Sequence, residues 1–255
     1  MIIEKYTLNE ERNVSLTCYI QPITRENWNM TKRPAMIVIP GGGYHYCSER
    51  EADPIAFPYL MSGYHVFVLR YSLAENAKWP NPLNDYDQAV DLIKDKSEEW
   101  ALDTSRIAIV GFSAGGHLAA CCATAARNRP AAALLGYPCI DKETTEHYSH
   151  TEMPDASALV DDKTCPCFIF ASSNDGAVPI CNSIKFMSAL AENNIMFECH
   201  IYPFANHGFS TCDTSINNRA WCCSRTSDWV NDSREFLRDV LGDFNDGVLG
   251  QRKYW

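Results

Sequence analysis

The 255-residue chain is 46% hydrophobic and 21% charged, enough apolar material for a sizeable core and too little charge for long disordered tails. Its formal net charge of −10 disfavours nucleic acid and anionic membrane as partners, because both need basic patches; a neutral or cationic small molecule suits it better. MIIEKYTLNEERN at the start has no basic region followed by an apolar stretch, so no signal peptide is expected, and no apolar run approaches a membrane span.

Ser15 to Ile20 alternates as a strand does and is expected at a sheet edge. Gln21 to Arg33 is polar and irregular, with Trp28 as its one large apolar residue. Ala35 to Ile39 reads as a buried strand stopped by Pro40, and Gly41-Gly42-Gly43-Tyr44 follows at once. A helix is expected from about Pro54 to Met61, then a second buried strand, His65 to Leu69. Arg70 to Asn84 is loop-like, and Asp85 to Trp100 carries apolar residues at helical spacing, with Asp85 as a helix N-cap. Ala131 to Leu135, Cys167 to Ala171 and Phe197 to Tyr202 are further strands. Asp141 to Cys165 is polar, with room for short helices only. Helices are expected over Ile180 to Glu192 and about Ser224 to Leu241, before a tail ending in Tyr254-Trp255.

Strands alternating with helices imply an α/β fold: a doubly wound, mostly parallel sheet with helices on both faces. No linker or repeat divides residues 1–255, so one domain is expected. The 12 cysteines do not form a disulfide framework: Cys121-Cys122 and Cys222-Cys223 are vicinal, and Cys165-Pro-Cys167 has the wrong spacing for a common zinc site. Reduced thiols in a cytoplasmic protein, with no metal and no cofactor, are the expectation.

The stretch that organises the chain is RIAIVGFSAGGHLAACCATAA, residues 106–126. A β-branched strand, Gly111-Phe112-Ser113-Ala114-Gly115, then a small-residue helix is the strand–turn–helix context of a nucleophile elbow. Such a turn lifts the serine Oγ clear of the sheet, against free N–H groups at the helix N-terminus. A serine needs a base, and the base an acid to orient it. Asp175 and His207 follow the last two predicted strands, at the sheet edge where open α/β sheets build sites. Asp175 is favoured over Asp141 as the acid. His207, in a loop beside glycine, is favoured over His117 and His200, which lie within elements, and over His147 and His150 in the polar loop. N–H groups of Gly42, Gly43 and Ala114 are the candidate oxyanion donors.

These residues resemble the small α/β-hydrolases of the acetyl esterase, acetylxylan-esterase-like and hormone-sensitive-lipase-like group. The matching blocks are PGGGYHYCSERE (40–51), GYHVFVLRYSL (63–73), RIAIVGFSAGGHLAA (106–120), SSNDGAVPICNS (172–183) and HIYPFANHGFS (200–210). The resemblance implies the α/β-hydrolase fold, with Ser113, Asp175 and His207 as the triad and Gly42, Gly43 and Ala114 around the oxyanion. Pro40 stands where the family's usual histidine precedes the glycines, so the loop's support differs. Residues 141–165 are too few for a large lid, which implies an open pocket for short acyl groups. Tyr44, Tyr71 and Trp79 are expected to line its mouth.

The function expected is serine carboxylesterase on acetyl or other short-chain esters; acetylated xylo-oligosaccharides are suggested by the resemblance alone. A peptidase or amidase on this fold and a catalytically silent binding protein are the alternatives. The terminal Tyr254-Trp255 leaves a homodimer open.

Overall fold

The computed structural model describes residues 1–27, 30–221 and 224–244. Trp28, the Cys222-Cys223 pair and Tyr254-Trp255, with the homodimer they would bear on, lie outside the described residues. In chain order the major elements are β1 (Ile2–Asn9), β2 (Val14–Ile20), β3 (Arg33–Ile39), α1 (Asp53–Met61), β4 (His65–Arg70), α2 (Asn81–Asp95), α3 (Ser97–Trp100), β5 (Leu102–Phe112), α4 (Ala114–Ala125), β6 (Ala132–Gly136), α5 (Lys142–Ser149), β7 (Cys167–Ser172), α6 (Cys181–Glu192), β8 (Phe197–Tyr202) and α7 (Trp229–Leu241).

The strands form one sheet in the order β1-β2-β4-β3-β5-β6-β7-β8. β1 and β2 pair antiparallel, as do β2 and β4; every other pairing is parallel. The central strands are apolar throughout because both faces are covered, and the pleat sends alternate residues to opposite layers. Ile37, Ile109, Leu135 and Ile169 pack against α2, α4 and α6, whereas Val38, Val110, Leu134 and Phe170 pack against α1 and α7. On the second face the Phe170 ring stacks on Trp229, centroids 4.0 Å apart and 9° from parallel.

The structure departs from the sequence expectations at four places. β1, unanticipated because none of its residues is fully buried, forms the sheet edge, so β2 is an interior strand. α2 starts at Asn81 rather than Asp85, since Pro82 falls in the first turn, where a missing N–H costs nothing. Asp85 is therefore not an N-cap: it is fully buried, accepts from Ser72 N–H at 2.8 Å and pairs with Arg12 at 2.7 Å, tying β1's turn to the loop after β4. The last helix begins at Trp229, preceded by a single turn over Thr226–Asp228.

The segment 141–165 contains only α5 and one turn at Ala156–Leu159, so no large lid covers the sheet's carboxyl edge. No helix among the described residues is long and apolar enough to cross a membrane.

Candidate active site

Ser113 sits between β5 and α4 with φ 53° and ψ −117°, a conformation that non-glycine residues rarely adopt. The turn is held from both sides: Ser113 N–H donates to Gly136 O at 2.9 Å, and its carbonyl accepts from His117 N–H at 2.9 Å. Gly115 makes the bend sterically feasible, since a Cβ there would lie 2.3 Å from Ile39 O and 2.4 Å from Pro40 O. The small-residue helix thus presses its first turn against the end of β3, beside the glycine loop.

Asp175 and His207 come from the loops after β7 and β8, and the fold brings both to Ser113. His207 Nε2 lies 2.8 Å from Ser113 Oγ, and His207 Nδ1 lies 2.7 Å from Asp175 Oδ2. The other carboxylate oxygen of Asp175 accepts from Ala177 N–H at 2.9 Å and Val178 N–H at 2.8 Å, which fixes its orientation. An acid held this way keeps the proton on Nδ1 and leaves Nε2 free to receive one from the hydroxyl.

The rival residues occupy other roles. Asp141 caps α5, accepting from Thr144 N–H and Thr144 Oγ1, both at 2.8 Å. His200 faces Glu198 on β8 at 2.7 Å, and His147 and His150 are exposed. His117 is buried, between Tyr44 and the carbonyl of Pro154.

Opposite Ser113 runs the glycine loop. Gly42 has φ 127°, and a Cβ on it would meet Tyr46 O at 2.1 Å, so only glycine fits. Gly41 N–H donates to Glu51, but the N–H groups of Gly42 and Gly43 have no acceptor among the described residues. Ala114, the first residue of α4, has no intrahelical acceptor for its own N–H. Just before the glycines, the Pro40 carbonyl accepts from Tyr71 OH at 2.8 Å.

A cavity of about 280 Å³ opens over Ser113 and His207, with Gly42, Gly43, Tyr46, Arg50, Tyr148 and Ala177 among its walls. Tyr44, Tyr71 and Trp79, expected at its mouth, do not line it. Tyr44 and Tyr71 are buried beneath the glycine loop, where their hydroxyls hold His117 and Pro40, and Trp79 packs on the core with its ring against His117. Their place is taken by Tyr46, which is exposed, and Tyr148, whose hydroxyl donates to Ala177 O at 2.7 Å. Sequence reasoning also passed over Glu51. In the run Ser48-Glu49-Arg50-Glu51 it looks like one more surface charge, yet it is 2% exposed.

Cys139 lies beside Ser113, its N–H donating to Ser113 O at 3.2 Å. Burial pushes its thiol up to about 12, so at neutral pH it is a protonated, inert neighbour. Among the described residues no group of three or more His, Cys, Asp or Glu side chains is placed to hold a metal ion.

The sequence profile of the BD-FAE family matches residues 23–153. An α/β-hydrolase from a Medee basin deep-sea metagenome library, MGS-M1, is 39% identical and superposes with a TM-score of 0.89 over 94% of this chain and 98% of its own. The chain is an α/β-hydrolase of the BD-FAE family.

The chain has an acetylxylan esterase among its relatives. It is 27% identical to the acetylxylan esterase of Xylanibacter ruminicola over 229 residues, 81% of this chain and 46% of that protein. It is 31% identical to endo-1,4-beta-xylanase B of Butyrivibrio fibrisolvens over 217 residues, 71% of this chain and 33% of that protein. The BD-FAE chain thus spans less than half the length of either relative.

Proposed function

We propose that this BD-FAE hydrolase is a serine carboxylesterase acting on short-chain acyl esters, acetyl esters foremost, with acetylated xylo-oligosaccharides as the substrate class. The observation that carries the reading is the unbroken hydrogen-bond chain from Asp175 through His207 to Ser113.

In this reading Nε2 of His207 takes the Ser113 proton as Oγ attacks the ester carbonyl carbon. The carbonyl oxygen becomes an oxyanion, received by the N–H groups of Gly42, Gly43 and Ala114. The tetrahedral intermediate collapses, the C–O bond to the alcohol breaks, and the alcohol leaves with the proton from His207. Water then attacks the acyl-enzyme, giving its proton to Nε2; carboxylate is released and Ser113 regains its hydrogen. Asp175 stays ionised throughout, holding Nδ1–H and stabilising the imidazolium. A cavity of about 280 Å³ lies at the small end of ligand pockets and favours acetyl over long acyl chains. The acetylxylan esterase relative supports acetylated xylan fragments as the alcohol half. The free described cysteines support a reducing, cytoplasmic setting.

The test is hydrolysis of p-nitrophenyl acetate, butyrate and octanoate, with acetyl-xylo-oligosaccharide alongside, by wild type and Ser113→Ala. Acetate turnover lost in the variant, with acetyl release from the sugar, is expected. No Ser113-dependent turnover of any ester would overturn the proposal in favour of an amidase or a silent binding protein.

A further inference from the structure

Glu51 follows the glycine loop, in a single turn over Glu49–Glu51, and its charge is almost wholly shielded from solvent. Burying a carboxylate is unfavourable unless donors surround it, and an apolar residue would fill the same space without that cost. Here both oxygens are engaged. Oε2 accepts from Gly41 N–H at 2.8 Å, and Oε1 accepts from Tyr137 OH at 2.6 Å. The Tyr137 oxygen in turn accepts from Ser210 N–H at 3.0 Å, and Ser210 Oγ donates back to the Arg50 carbonyl.

The carboxylate therefore stands where three loops of the site meet: the glycine loop at 41, the turn after β6 at 137, and the histidine loop at 207–210. Tyr137 is itself constrained, with φ 36° and its N–H donating to Phe170 O at 2.6 Å. Its ring meets that of His207 edge-on, centroids 5.0 Å apart. Moving Glu51 would move both the oxyanion donors and the base.

We infer that Glu51 is a positioning residue of the esterase reaction: its two carboxylate oxygens set the glycine loop and, through Tyr137, the His207 loop relative to Ser113. The inference rests on the esterase reading of the same site. Because Gly41 N–H is spent on Glu51, the next two N–H groups are left for substrate.

Only an acceptor on both sides satisfies this geometry. A glutamine can accept from Gly41 or from Tyr137, but its NH₂ must then face a group that has a proton to donate. Glu51→Gln changes charge and one donor while keeping shape, and Tyr137→Phe removes the link to Ser210 while leaving Glu51 in place. Both should lower kcat on p-nitrophenyl acetate, by about 10- to 100-fold for the first and less for the second, with KM within about 3-fold. Affinity for a boronic acid that mimics the tetrahedral adduct should fall in parallel with kcat. Glu49→Gln, which removes an exposed carboxylate paired with Arg70, is the control and should retain wild-type kcat.

Thermal melts establish which variants are folded; if Glu51→Gln is not, Tyr137→Phe decides. Amide exchange at Gly41, whose N–H the Glu51 carboxylate holds, is read in parallel and should quicken in Glu51→Gln. Folded variants with wild-type kcat and wild-type exchange, or with a change in KM alone, would overturn the inference. Wild-type enzyme that turns over no ester would refute the esterase reading instead, and the exchange measurement would still decide whether Glu51 holds the loop.

Discussion

The hydroxyl of Tyr44 lies 2.8 Å from Nδ1 of His117, one helical turn along α4 from Ser113. The other ring nitrogen of His117 lies 2.9 Å from the carbonyl of Pro154, which can only accept, so Nε2 carries the hydrogen and Tyr44 donates to Nδ1. One buried imidazole thus joins the glycine loop, the elbow helix α4 and the segment after α5. Tyr44→Phe leaves Nδ1 without a donor and is expected to destabilise the fold by about 1–3 kcal/mol. Scanning calorimetry should show a fall in Tm of about 2–4 °C per kcal/mol. An unchanged Tm would mean that the bond contributes nothing net.

Acid sensitivity follows from the same residue and from His65, whose Nε2 donates to Trp100 O at 2.8 Å. Burial holds both imidazoles neutral and lowers them to about 4, from the ordinary 6.5. Between these values the unfolded chain binds protons that the folded chain refuses, so stability is level above pH 6.5 and falls as pH drops toward 4. Each residue should contribute a slope of about 1 kcal/mol per pH unit inside that window. Urea melts of wild type and His117→Gln at intervals from pH 7 to 4 test this. Parallel curves would refute it.

Removing Ser113 should abolish acyl transfer, whereas Asp175→Asn should leave binding intact and cut kcat by about 10⁴-fold, because the amide favours the wrong imidazole tautomer. Steady-state kinetics on p-nitrophenyl acetate separates the two effects. An Asp175→Asn variant within 10-fold of wild type would exclude Asp175 as the orienting acid.

Gly42→Ala is predicted to be worse than its size suggests. The added methyl meets Tyr46 O at 2.1 Å on a backbone with φ 127°, so the loop must shift and carry its N–H groups away from Ser113. A loss of about 10²–10³ in kcat is expected, the usual effect of removing one oxyanion donor. Retained kcat with a higher KM would place substrate binding, not oxyanion stabilisation, at this glycine.

Among the described cysteines, Cys181 is the exposed one. Burial raises Cys18, Cys47 and Cys139 to about 12 and Cys121 and Cys122 further. Peptide mapping after brief iodoacetamide treatment should find Cys181 modified well before these five. Equal labelling of Cys121 would contradict the packing of α4.

Much of this protein is dictated locally and was legible in the chain. Short β-branched runs such as Ile107 to Val110 favour strands covered on both faces, and Gly111 to Gly115 fits a strand-to-helix turn because larger residues would collide there. The positions of Ser113, Asp175 and His207 just past strand ends followed from the same reasoning. Boundaries failed where a local rule has two outcomes: Pro82 reads as loop, yet the first turn of a helix accepts it equally well. Burial of individual polar and aromatic residues was beyond the sequence, because it is set by what other segments pack above them. Tyr44 and Tyr71 look like mouth residues and lie under the loop; Glu51 looks like a surface charge and is enclosed by Gly41 and Tyr137, the latter 86 positions along the chain. Sequence patterns determined which residues could do chemistry. The side-by-side order β3-β5-β6-β7-β8 determined which of them meet, since only the packed sheet edge brings donors and acceptors from distant loops within hydrogen-bond reach.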